Sequence, residues 1–74
     1  MTDQLAQLKE SASQELEFCN HEITPNVCKM VTTEKGKQKI VDLICEYVGN
    51  YGMTISEAIV AIERERSTTF DELA

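Results

Sequence analysis

Two glycines in quick succession constrain this chain most. Gly49 and Gly52 sit between two helical runs, KGKQKIVDLICEYV and ISEAIVAIERER, within Thr33–Arg66. Glycine accepts positive φ freely, so Gly52 is the natural stop for the first run. Thr54-Ile55-Ser56-Glu57 then has the form of a capping box, in which Thr54 and Glu57 each satisfy the other's backbone N–H. Ile40, Leu43, Ile44, Tyr47, Val48 and Tyr51 recur on one face of the first run, widened by Val41 and Cys45. Ile55, Ala58, Ile59 and Ile62 do so in the second. The spacing predicts a helical hairpin over about 33–51 and 54–66, with Thr32 or Thr33 capping the first helix.

Upstream, Leu5, Leu8, Ala12, Leu16, Cys19 and Ile23 follow at steps of three and four. That stripe predicts an amphipathic helix over about 3–20, laid across the hairpin. Phe18 falls off the stripe and is expected either to widen the apolar face or to make contacts outside the core. Thr24-Pro25-Asn26 breaks the pattern. The following VCKMVTT is open between a helical turn or irregular link and a short strand. Ser67–Ala74 is expected either to dock as one more turn, through Phe70 and Leu73, or to fray. The fold expected is therefore all-α: one domain over 1–74, a small three-helix bundle.

With 74 residues, such a chain hides only about 60–65% of its unfolded surface. Apolar residues left uncovered leave room for a homodimer, and a scaffolded enzyme cleft is hard to fit. The formal charge of −6 is uneven. Residues 1–26 carry one Lys against five acids, 27–39 carry Lys29, Lys35, Lys37 and Lys39 against Glu34, and 40–74 carry two Arg against seven acids. The overall balance disfavours nucleic acid and anionic membrane, while the local basic island offers an acidic partner a docking rim.

Cys19, Cys28 and Cys45 are odd in number and form no CxxC. That pattern points away from a secreted disulfide framework and towards a reducing cytoplasm. The N-terminal segment lacks the basic start and apolar stretch of a signal peptide. The longest apolar run, Ala58 to Ile62, falls far short of the ~20 residues of a membrane span. Cys19, His21 and Cys28 are too few for a zinc site, and no nucleophile–base pair is identifiable, so no metal, cofactor or catalytic residue is expected. Gly36 among lysines in TEKGK is a weak phosphate signal without the rest of a phosphate loop.

Gly52-Met53-Thr54-Ile55-Ser56-Glu57-Ala58-Ile59 resembles the turn and second-helix start of ribbon-helix-helix DNA binders. That resemblance implies a strand at Val27–Thr32 pairing with a second copy to read a major groove. The strand so implied offers one basic residue, Lys29, and an acidic helix precedes it. The reading that composition favours is instead a small non-catalytic cytoplasmic regulator, adaptor or inhibitor, of the format common in phages and mobile elements. It would bind a protein partner through Phe18, Val27 and Met30, rimmed by Lys29, Lys35, Lys37 and Lys39.

Overall fold

The computed structural model describes residues 3–70. They form α1 (Asp3–Leu16), α2 (Pro25–Met30), α3 (Glu34–Tyr51), α4 (Ile55–Arg66) and a 3-10 turn at Ser67–Thr69, with no strand among them. No helix among these residues is long and apolar enough to cross a membrane. The all-α expectation holds, with one short helix more than the three the periodicity gave.

The hairpin forms as its caps dictate. The Thr33 hydroxyl accepts the Gly36 N–H at 3.0 Å, and Gly52, at φ 65°, closes α3 with its N–H on the Val48 carbonyl at 3.1 Å. Thr54 and Glu57 complete the capping box at 2.9 and 3.1 Å. Ile40, Ile44 and Tyr47 of α3 then bury with Ala58, Ile59 and Ile62 of α4. Each large aliphatic side chain taken from water contributes roughly 1.5–3 kcal/mol, so this pairing is the main source of stability. The buried Tyr47 still satisfies its hydroxyl, which donates to Glu65 at 2.9 Å and accepts from Arg66 Nε at 3.3 Å.

α1 is shorter than its stripe predicts, ending at Leu16 rather than near Asn20. Only Ala12 and Leu16 are buried, Leu8 is half-buried, and Leu5 remains 54% exposed.

The open segment after Pro25 is helical, which removes the strand that the ribbon-helix-helix resemblance needs at Val27–Thr32. A six-residue helix has no stability of its own. α2 is held because Pro25 lacks an N–H at the first position and Glu63 of α4 receives the next two. Glu63 accepts the Val27 N–H at 2.8 Å, the Asn26 N–H at 3.4 Å and the Asn26 side-chain amide at 2.7 Å. This places Val27 and Met30 in the core, fully and nearly fully buried. Their assignment as surface contacts for a partner is corrected accordingly.

α2 then meets α3 at Gly36. A Cβ there would collide with the Met30 carbonyl oxygen and crowd the Thr33 hydroxyl. Gly36 is thus a close-approach residue, and its N–H is already taken by Thr33, not left for a phosphate. At the other end, Phe70 is buried after the 3-10 turn, so this part of the tail docks; Leu73 lies outside the described residues.

Two substitutions test this account. Glu63→Ala strips α2 of its cap and is expected to cost about 1–2 kcal/mol in urea unfolding. Gly36→Ala is expected to destabilise by about 1–3 kcal/mol, the reverse of the gain that alanine usually brings inside a helix.

Candidate functional site

Among the described residues Phe18 is the large apolar side chain the fold leaves most in water, at 84% exposure. Its position follows from the way α1 ends. Three successive i→i−3 bonds tighten the last turn: Glu17 N–H to Gln14 at 3.1 Å, Phe18 N–H to Glu15 at 3.1 Å, and Cys19 N–H to Leu16 at 3.4 Å. Asn20 turns the chain next. Its side-chain oxygen accepts the Glu22 N–H at 2.8 Å, and its carbonyl accepts both the N–H and the hydroxyl of Thr24 at 2.8 and 3.0 Å.

Cys19 is joined to Cys28 of α2 by a disulfide, with Cα atoms 5.9 Å apart. This overturns the expectation that the cysteines stay reduced. Residue counting misled here because the pairing depends on the α1–α2 loop doubling back, a tertiary event. Cys45 remains a free thiol. Burial pushes its pKa up; Lys9 draws it back and Asp42 adds to the rise.

The loop sets Phe18 and the 59% exposed Ile23 along one shallow groove with Ile59 and Val60 of α4, about 210 Å³ in volume. Ser56 and Val60 carry that groove into a second depression of about 410 Å³ along the outer side of α4. The floor of this face is apolar. Its charged edge holds Glu15, Glu57 and Glu65 against Arg64 alone, so it is net negative.

The residues predicted for partner binding are not gathered here. Phe18 reaches the groove, while Val27 and Met30 are in the core. Lys29 borders a separate depression beside Ser67 and Phe70, and Lys37 borders another beside the disulfide. Lys35 is exposed on α3 and Lys39 is half-buried there. An apolar centre with a lysine rim is therefore not assembled. Sequence reasoning missed Val60, whose signal was available: it is apolar yet falls off the inward stripe of α4. Ile23 was placed on the α1 stripe and instead lies beyond the end of that helix.

Among the described residues no three His, Cys, Asp or Glu side chains gather as a metal site, and Cys19 and Cys28 are spent on each other. Comparison with protein-family models, with curated proteins and with solved structures finds no match to this chain.

The thiol assignment is testable by alkylation and mass measurement. The native protein is expected to take up one iodoacetamide, at Cys45, and the reduced, unfolded chain three. Burial raises the Cys45 pKa, so its thiolate forms at higher pH than that of a free thiol. The native reaction should remain slow until the pH passes the ordinary thiol range.

Proposed function

We propose that this protein is a non-catalytic protein-binding module, a small regulator, adaptor or inhibitor, whose docking face is the Phe18–Val60 groove. One observation carries the reading. The two most exposed large apolar side chains of the loop, Phe18 and Ile23, line the same groove, and α4 supplies an apolar floor. Scattered apolar residues are ordinary on a surface, whereas a contiguous patch marks an interaction site. An aromatic anchor at the centre of such a patch is the usual source of binding energy.

The rim selects the partner. Glu15, Glu57 and Glu65 outnumber Arg64, so the matching ligand is an amphipathic helix with an apolar stripe flanked by Lys or Arg. A second copy of this chain suits the groove less well. It would bring the same acidic rim and a further charge of −6.

The reactive groups support a binding role over catalysis. Cys19 and Cys28 consume each other, and His21, the one histidine, is exposed.

A designed Leu/Lys amphipathic peptide serves as the probe, titrated by fluorescence anisotropy against a Leu/Glu counterpart. The Leu/Lys peptide is expected to bind and the Leu/Glu peptide to fail. Phe18→Ala and Val60→Glu should each weaken binding about tenfold or more, or at least ~1.4 kcal/mol. Alanine at Lys35 and Lys39 should leave it unchanged. Equal binding of both peptides, or indifference to Phe18→Ala, would sink this reading.

A further inference from the structure

The outer side of α4 carries a self-complementary pattern. Glu57 and Arg64 are seven positions apart, which puts them about 20° apart around the helix and about 10 Å apart along it. Midway between them lie Val60 and Ala61, about 50° to either side of the line that joins them. Ser56 and Glu65 stand at the two edges, about 90° from that line. These are the residues that line the depression of about 410 Å³ along α4.

The two charges on the line have no opposite charge within their own helix. Positions three and four from Glu57 are Met53, Thr54, Val60 and Ala61; from Arg64 they are Val60, Ala61, Ser67 and Thr68. The other charged side chains at the end of α4 are taken up by the fold. Glu63 caps α2, Glu65 accepts the Tyr47 hydroxyl at 2.9 Å, and Arg66 Nε donates to that hydroxyl at 3.3 Å. Glu57 keeps one oxygen on the Thr54 N–H at 2.9 Å, which fixes its carboxylate in place. Arg64 is exposed and makes no hydrogen bond among the described residues.

We propose that α4 is a self-association helix: its outer side packs antiparallel on the same side of α4 in a second copy, about a two-fold axis between Val60 and Ala61. In a pair centred there, Glu57 of each copy stands opposite Arg64 of the other, so two ion pairs form together. Val60 and Ala61 of both copies close over the axis, and side chains this small let the helices approach closely. Antiparallel packing also sets the positive end of each helix dipole beside the negative end of the other.

The groove beside Phe18 disfavours a second copy because acid would meet acid. The outer side of α4 differs, since Arg64 sits where Glu57 of the second copy arrives. The six residues a side are far fewer than the about 20–30 of a standard interface, so the dimer is weak and forms at high concentration. The formal charge of −6 on each copy opposes it at long range. At about 0.15 M salt the screening length of about 8 Å damps that repulsion and leaves charges in contact coupled. The dimer does not depend on the function proposed above, because no loop residue enters it. Where both hold they compete for Val60, and self-association regulates the docking face: a helix bound along α4 displaces the second copy.

Sedimentation equilibrium of the intact chain, from about 10 μM to about 1 mM at near-physiological salt, tests this. The mass is expected to rise from monomer towards dimer across that range. Arg64→Glu and Glu57→Lys should each weaken association about tenfold or more, and the double exchange Glu57→Lys/Arg64→Glu should restore it with the signs reversed. The exchange leaves the net charge at −6, so bulk charge cannot account for the recovery, and a fold merely damaged by either change would not recover. A protein that stays monomeric throughout would overturn the proposal. So would a dimer indifferent to both single reversals, or a double variant as weak as the single ones. The Leu/Lys peptide separates the two readings. A dimer broken by Arg64→Glu, with no peptide binding, would support self-association and overturn the docking reading; peptide binding to a protein monomeric at every concentration would do the reverse.

Discussion

The carboxylate of Glu63 organises more of this protein than any other side chain. α2 is too short to nucleate alone, and its first-turn N–H groups point at α4, where Glu63 receives them. Charge-assisted bonds of this kind are about twice as strong as neutral ones, and a carboxylate also suits the positive end of a helix. Once α2 is seated, Val27 and Met30 bury and the Met30 carbonyl comes down on Gly36. Cys28 is then presented to Cys19, and the link back to α1 fixes Phe18. The docking face thus depends on a carboxylate that does not line it.

Rules that act over a few residues were legible in the sequence. Thr33, Gly52 and the Thr54–Glu57 box mark helix ends where the structure has them, because capping uses only neighbours along the chain. The core stripe of α3 and α4 was legible for the same reason, since a long period repeats enough to be counted. α2 was not, because six residues hold less than two turns and show no period. Val27 and Met30 were taken for surface residues on that account: in a loop they would face water, and in a capped helix they face inward. The end of α1 was hidden for another reason. The apolar stripe runs on to Cys19 and Ile23, whereas Asn20 turns the chain through its bonds to Glu22 and Thr24, a side-chain-to-backbone event that an apolar period does not register.

Charge is sorted by the same architecture. Lys29, Lys35, Lys37 and Lys39 all belong to α2 and the first turns of α3, while Glu15 edges the groove between α1 and α4, and Glu57 and Glu65 edge the depression that continues it along α4. Counted along the chain, the basic island looked like the rim of the apolar contact. In three dimensions the island and the apolar groove lie on different elements. The sign of the field at the groove is therefore set by acids that seemed merely to solubilise the helices, and it reverses the polarity expected of a partner.

The energies explain why one covalent bond can govern this region. α1 has one large side chain fully buried, Leu16, worth roughly 1.5–3 kcal/mol. Closing a loop between residues nine apart is worth about 2.5 kcal/mol in the chain-entropy account, so the two are of the same order. In a larger domain such a bond would be a small correction to a deep minimum. Here, at the junction of a weakly buried helix and a six-residue capped helix, it matches the burial that seats α1 on the rest of the fold. The caps of α3 and α4 close without reference to residues 17–24, which meet the hairpin through Ile59 and Val60 at its edge. A local change can therefore be large at Phe18 and still leave the hairpin intact.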